Sequence, residues 1–164
     1  MKLKTSLTAI ALAAFTTTAV AGGGAFNERS ISLELANEIA GAGVAACAAS
    51  GYNVTATVVA RAGNVRAVQR ADNAGPHTIE ASRMKAFTSA SARNRTQAMM
   101  ETAQSNPGAA NLVDIPGFLL LGGGVPITHG NDVIGAIGIG GAPGGHLDEQ
   151  CAIAAIEQSG RGGR

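Results

Sequence analysis

The stretch from Phe118 to Cys151 constrains the fold most strongly, because it combines two apolar runs with many glycines. A polar turn at Gly130-Asn131-Asp132 separates the runs, and this pattern predicts a β-hairpin. The second run, Val-Ile-Gly-Ala-Ile-Gly-Ile-Gly-Gly over 133–141, has apolar or very small residues on both faces. Glycine weakens a strand unless something packs closely on it. We therefore expect a helix, a subunit or a flat ligand against this strand, with ordinary core packing as the simplest case.

The remaining periodicities predict helices and further strands around this hairpin. Apolar residues recur at helical spacing in several segments, whereas β-branched residues alternate in others. The order is helix, two strands, helices, two or three strands and helix, so the fold class is α+β, with an antiparallel sheet of about five strands flanked by helices. The expected helices are 32–50, 77–92, 96–103 and 148–158, the first two strands are 53–60 and 65–69, and 109–117 is a loop or short helix.

The first residues have the pattern of a secretory signal peptide. Lys2 and Lys4 precede an apolar run that ends in Ala19-Val20-Ala21, which predicts cleavage after Ala21 and a periplasmic or secreted protein. The chain has 12 basic and 11 acidic side chains; without the two lysines the counts are 10 and 11, and the net charge falls from +1 to −1. A near-neutral chain does not indicate nucleic-acid binding. Since no later run reaches about 18 apolar residues, we expect no membrane association after cleavage.

A single folded domain is expected, because no internal repeat or linker interrupts the chain. The predicted boundaries are a signal peptide at 1–21, a flexible N-terminus at 22–30, the domain at 31–159 and a tail at 160–164.

Two separated blocks resemble the GlcG/HbpS-like family. The first runs from Arg70 to Ser82 and continues in Lys85-Ala86-Phe87-Thr88, and the second joins Gly-Gly-Val-Pro at 123–126 to the glycine-rich strand and the following Asp-Glu-x-Cys-Ala. The resemblance covers about 33–156. It implies a profilin-like layered domain, haem or another small flat molecule as ligand, and assembly into a homo-oligomer.

Given this resemblance, His77 is the first candidate for the haem iron ligand, because a neutral imidazole nitrogen binds iron and His77 lies in the first block. His146, in the glycine-rich loop before the last helix, is the second. Haem propionates need cations, which Arg83 and Lys85 can supply, and Met84 can line the pocket or act as a further ligand. Exposed histidines on an ordinary basic helix face are the alternative. Further cations lie at Arg66, Arg70, Arg93 and Arg95. The chain has no Cys-x-x-Cys-His, so haem would bind non-covalently.

Two other functions stay open. Asp72, His77 and Glu80 are close in sequence and can form an acid/base cluster, so an enzyme acting on small organic acids, or an accessory to their catabolism, is one alternative. An oligomeric interaction module is the other. The sequence contains no Gly-x-Ser-x-Gly, His-Glu-x-x-His or phosphate-binding Gly-Lys-Ser/Thr motif.

Cys47 and Cys151 are the only cysteines. An oxidising compartment allows a disulfide to form. If the first and last helices lie side by side and antiparallel, the late part of one meets the early part of the other. We therefore predict a Cys47–Cys151 bridge, with two buried free thiols as the alternative.

Overall fold

The computed structural model describes residues 24–160. The predicted signal peptide at 1–21 and the end of the predicted tail lie outside this range. The elements in chain order are α1 (Leu33–Ala49), β1 (Thr55–Ala60), β2 (Val65–Arg70), α2 (Thr78–Ala92), α3 (Thr96–Ser105), a 3₁₀ helix (Pro107–Asp114), β3 (Gly124–His129), β4 (Asp132–Gly140) and α4 (Gly145–Gln158). No helix within 24–160 is long and apolar enough to cross a membrane.

The strands form one antiparallel sheet in the order β2-β1-β4-β3. This confirms the α+β class and the glycine-rich hairpin, which is β3–β4. The sheet has four strands, however, and not about five. The apolar run at 118–121 is irregular, because its polar backbone groups bond to side chains. The Leu119 amide donates to the Thr88 hydroxyl at 2.8 Å, and the Leu121 carbonyl accepts from the Thr96 hydroxyl at 2.7 Å.

The two faces of the sheet are covered by different helices. On one face, α1 and α4 pack over the main apolar core, which includes Val58, Ile127, Ile137 and Ile139. On the other face, α2 crosses β1, β4 and β3. The α2 face of β1 is partly polar, since the Thr57 hydroxyl hydrogen-bonds to the Ser82 hydroxyl at 2.7 Å. Because successive side chains of a strand point to opposite faces, alternate β1 residues contact the apolar core under α1 and α4 or the helix α2.

The glycines of β4 permit this close packing of α2. A Cβ at Gly138 would collide with the backbone carbonyl of Ser82 and the backbone amide of Ala86. The helix backbone therefore rests directly on the strand, and the close approach expected from the sequence is made by a helix.

On the opposite face, a disulfide joins Cys47 of α1 to Cys151 of α4, with the two Cα atoms 5.4 Å apart. Both residues are buried. The bridge links the two helices that cover the main core across 104 residues of sequence.

Candidate functional site

One end of the sheet carries the starts of two helices. At this end β4 finishes at Gly140, where an added Cβ would lie 3.6 Å from the carbonyl oxygen of Thr78, in the first turn of α2. On the other face, α4 begins five residues later at Gly145. His77 immediately precedes α2, and His146 is the second residue of α4. Both histidines are exposed, and they belong to helices on opposite faces of the sheet.

The surface between α2 and β2 follows from the strand register. Arg70, Val68 and Val65 of β2 pair with Thr55, Thr57 and Val59 of β1. Paired residues of neighbouring strands point to the same face of a sheet. Thr55 and Thr57 hydrogen-bond to Thr78 and Ser82 of α2, and Val59 packs with Ala86 and Ala90, so all three β2 residues lie on the α2 face.

We call this region the α2–β2 surface and define it by Val65, Val68, Arg70, Ile79 and Arg83. Ser82 hydrogen-bonds to Thr57, and Thr57 is the β1 partner of Val68. The Ser82 hydroxyl also donates to the Ile79 carbonyl at 2.9 Å, so Ile79 lies one helical turn before Ser82, close to Val68. Because β2 is the edge strand, α2 leaves it largely uncovered.

The α2–β2 surface combines exposed apolar side chains with cations. Val65, Val68 and Ile79 are 48%, 46% and 45% exposed. Arg70 is exposed, and its guanidinium donates to the Ala74 carbonyl, in the loop that leads to His77. Arg66, between the two valines, is also exposed. Large apolar side chains grouped on a surface mark a binding site more often than scattered ones do.

Arg83 is partly engaged by a neighbour on α2. Its Nε and Nη2 atoms donate to the two carboxylate oxygens of Glu80 at 2.9 and 2.6 Å. This hydrogen bonding holds the pKa of the Glu80 carboxyl below its usual value. Glu80 is therefore an ionised partner of Arg83, a state that does not suit a general acid.

Lys85 does not lie on the same exposed surface as Arg83, which corrects its assignment as a propionate-binding cation. Its side chain is 1% exposed, and the Nζ atom donates to Asp148 Oδ2 at 2.8 Å and to the Ile139 carbonyl at 2.9 Å. The Ala142 amide donates to the other Asp148 oxygen at 3.0 Å. Burial raises the pKa of Asp148, against the opposing effect of the Lys85 ammonium. This pair ties α2 to β4 and α4.

The other predicted residues are not brought together into a cluster. Met84 is half-buried on α2, whereas Asp72 is exposed in the loop after β2. Within residues 24–160, no group of three His, Cys, Asp or Glu side chains is placed to hold a metal ion. The arrangement offers two exposed imidazoles at one end of the sheet, and exposed arginines beside the apolar residues of the α2–β2 surface.

Sequence reasoning missed Val65, Val68 and Ile79 as surface residues. Their apolar character predicts burial. The only available signal was the flanking pattern of β2, Val-Arg-Ala-Val-Gln-Arg, in which Arg66, Gln69 and Arg70 surround the valines as on an edge strand.

Known proteins share both the sequence pattern and the fold. A family model described as "Haem degrading protein HbpS-like" matches residues 31–157. Protein GlcG of Escherichia coli K12 is 32% identical over 109 residues, which are 66% of this chain and 80% of GlcG. A crystal structure of a double mutant of HbpS from Streptomyces reticuli has a TM-score of 0.78 at 36% identity, covering 88% of this chain and 97% of the other. A PduOC–haem complex shares the fold, with a TM-score of 0.69 at 21% identity, covering 78% and 94%.

Proposed function

We propose that this chain, which belongs to the HbpS-like family, binds haem reversibly and without a covalent bond on the α2–β2 surface. The observation that carries the site is the grouping of three exposed apolar side chains with Arg70 and Arg83, on a surface that Arg70 connects to the loop leading to His77. The family membership supports haem as the ligand, since the family model is described by haem degradation.

The residues present fit the two chemical parts of haem. Val65, Val68 and Ile79 offer an apolar surface to the porphyrin, and burying that surface from water favours association. Arg70 is exposed beside it and can pair with a propionate through two parallel hydrogen bonds. Arg83 can bind the other propionate, although it must share its guanidinium with Glu80.

His77 is the residue proposed to hold the iron. It is exposed, it precedes α2, and Ile79 of the apolar surface follows two residues later. Bound haem would supply iron for redox chemistry. The chain itself would contribute the His77 imidazole as an iron ligand and arginine guanidinium groups as partners of the propionates. His146 is the second candidate ligand, from the other face at the same end of the sheet.

Hemin titration tests this assignment. We expect a saturable Soret band that is lost or shifted in His77→Ala, with His129→Ala at the far hairpin turn as the matched control. Val68→Glu should weaken binding by placing a carboxylate beside the propionates, whereas Val113→Glu, on the exposed 3₁₀ helix, should not. If Val68→Glu and Val113→Glu bind hemin equally, haem does not use the α2–β2 surface. Spectra no different from those of hemin with an unrelated secreted protein would rule out haem binding altogether.

Haem breakdown is a second candidate function, because the description of the matching family model names it. Loss of the Soret band of the haem complex in the presence of ascorbate and oxygen, faster than for free hemin, is the expected signature. For the alternative of an enzyme acting on small organic acids, the Glu80–Arg83 pair keeps Glu80 ionised and so does not favour Glu80 as a general acid.

The proposed location is the periplasm or the exterior of the cell. The signal pattern at 1–21 and the Cys47–Cys151 disulfide support it, since disulfides persist in oxidising compartments. Assembly into a homo-oligomer is also proposed, because the edge strands and exposed apolar side chains offer surfaces to a second copy. Light scattering over a range of concentrations measures the mass, and the mass of a single chain throughout would exclude assembly.

A further inference from the structure

A concave surface lies at the opposite edge of the sheet from β2. It is formed between the edge strand β3, helix α4 and the turn that follows α2, and its cavity volume is about 370 Å³. We call it the β3–α4 groove. Its apolar lining comes from Val125, Pro126, Val133, Ile153 and Ile156. Three of these side chains, Pro126, Val133 and Ile153, are only half-buried, so apolar surface remains open to a ligand.

Two arginines lie at the rim of this apolar lining. Arg93 and Arg95 both line the groove and are exposed. Arg95 has an anionic neighbour in Glu149, but the nearest nitrogen–oxygen distance is 3.8 Å, which is too long for a hydrogen bond. Glu157 is the acidic residue at the rim, so the lining carries a net positive charge. This combination of cations and aliphatic surface is complementary to a molecule with an anionic head and an apolar body.

The turn that carries these arginines is held in a fixed conformation. Arg93 has φ +54°, which makes it the one non-glycine residue within 24–160 with positive φ. The left-handed conformation costs about 1–2 kcal/mol for a residue with a Cβ. Two hydrogen bonds hold the turn: the buried Ser89 hydroxyl donates to the Asn94 carbonyl, and the Arg95 amide donates to the Asn94 side chain, both at 2.8 Å. Glycine would suit this position without strain, and strained residues are found preferentially at functional sites.

We propose that the β3–α4 groove binds a small carboxylate with an aliphatic chain. Arg93 and Arg95 bind the carboxylate, and the chain lies on Ile153, Pro126 and Val133. This site does not depend on haem binding, because β2 and β3 are the two opposite edges of the sheet. The hydrogen-bonded turn fixes the backbone positions of both arginines, and a planar guanidinium loses less conformational freedom per hydrogen bond than a flexible ammonium does, which favours affinity for a small ligand.

Hexanoate is the probe for this site, and hexan-1-ol is the matched uncharged molecule. Calorimetry measures affinity, and NMR of ¹³C-labelled methyl groups locates the bound probe. We expect saturable shifts at the Ile153, Ile156 and Val125 methyls with hexanoate and weaker binding of hexan-1-ol. Arg93→Gly should weaken hexanoate binding about tenfold or more, since it removes a charge-assisted hydrogen bond. The same variant should be at least as stable as the natural chain, because glycine relieves the positive φ.

Two further variants distinguish loss of the Arg93 charge from a structural change in the turn. Arg93→Lys retains the charge and should retain most of the affinity. Arg61→Ala removes a cation that lines the neighbouring cavity but not the groove, and it should change hexanoate affinity by less than about twofold.

Several results would overturn the proposal. One is equal affinity for hexanoate and hexan-1-ol, and another is an effect of Arg93→Gly no larger than that of Arg61→Ala. Hexanoate shifts confined to methyl groups outside the groove would have the same meaning. Groove methyls that shift with protein concentration alone, together with a dimer mass, would assign the groove to a second copy. Displacement of hexanoate from the groove by hemin would assign it to haem.

Discussion

The buried Lys85–Asp148 pair should be the most sensitive point of this fold. Lys85→Met removes the ammonium group but leaves the Asp148 carboxylate 3% exposed in the protein interior. Two hydrogen bonds disappear as well, to Asp148 and to the Ile139 carbonyl. Removing one partner of a buried ion pair typically costs about 3–5 kcal/mol, because the remaining charge is uncompensated. Since a domain has about 5–15 kcal/mol of stability in total, a loss of this size removes much of it.

Replacing both partners should cost much less than the two single losses added together. In Lys85→Met with Asp148→Leu no buried charge remains, and substitution of a buried pair by apolar residues is often close to neutral. The amide of Ala142 then loses its acceptor, so we expect the free energy of unfolding of the double variant to be about 1–3 kcal/mol lower than that of the natural protein.

Urea unfolding followed by circular dichroism, on protein with the disulfide intact, measures these free energies. Asp148→Asn is the milder variant if Lys85→Met does not fold, because it keeps the shape of the side chain and an oxygen acceptor. The reasoning is refuted if Lys85→Met costs less than about 1 kcal/mol, or if the double variant costs the sum of the two single variants.

Two further predictions concern the disulfide and the half-buried carboxyl group of Glu149. Replacing Cys47 and Cys151 by alanine should lower the free energy of unfolding by up to about 4–5 kcal/mol, since the bridge closes a loop of 104 residues; two alkylated cysteines in the unreduced, denatured natural protein would contradict the bridge. Burial raises the pKa of Glu149 despite the nearby Arg95 guanidinium. The folded protein therefore binds this proton more tightly than the unfolded chain, so the contribution of Glu149 to stability is complete below about pH 4 and is lost as the pH rises through its folded-state pKa. The free energy of unfolding of Glu149→Gln relative to that of the natural protein should thus increase from pH 4 to pH 7. If urea unfolding gives the same difference between the two proteins at both pH values, this expectation is contradicted.

Patterns of residue size and polarity made the layered fold predictable. The glycines of β4 indicated close approach by another backbone, and α2 makes that approach at Gly138. The Gly130-Asn131-Asp132 turn indicated the hairpin, whose strands lie on either side of it. These features are local in sequence, so a chain read in order reveals them. The missing fifth strand shows the limit of this reasoning. The residues at 118–121 are as apolar as a strand, but their partners are the hydroxyls of Thr88 and Thr96, 31 and 25 residues earlier.

Lys85 shows why the candidate site was harder to predict than the fold. Its neighbours Arg83 and Met84 lie on the outer side of α2, and lysine is rarely buried, so a basic helix face was the natural expectation. Burial requires a partner, and the partner, Asp148, is 63 residues away in sequence on a different helix. A local pattern cannot show such a pairing.

The exposed apolar residues Val68 and Ile79 present the converse problem. Their side chains predict burial, and only the position of β2 at the sheet edge leaves them open. Strand order is a long-range property, because β1 pairs with β4 across more than 70 residues and thereby places β2 outside. The same strand order places β3 at the other edge, where it forms the β3–α4 groove with α4. Both proposed binding surfaces therefore depend on strand order, because it makes β2 and β3 the edge strands, of which α2 leaves β2 largely uncovered while α4 flanks β3.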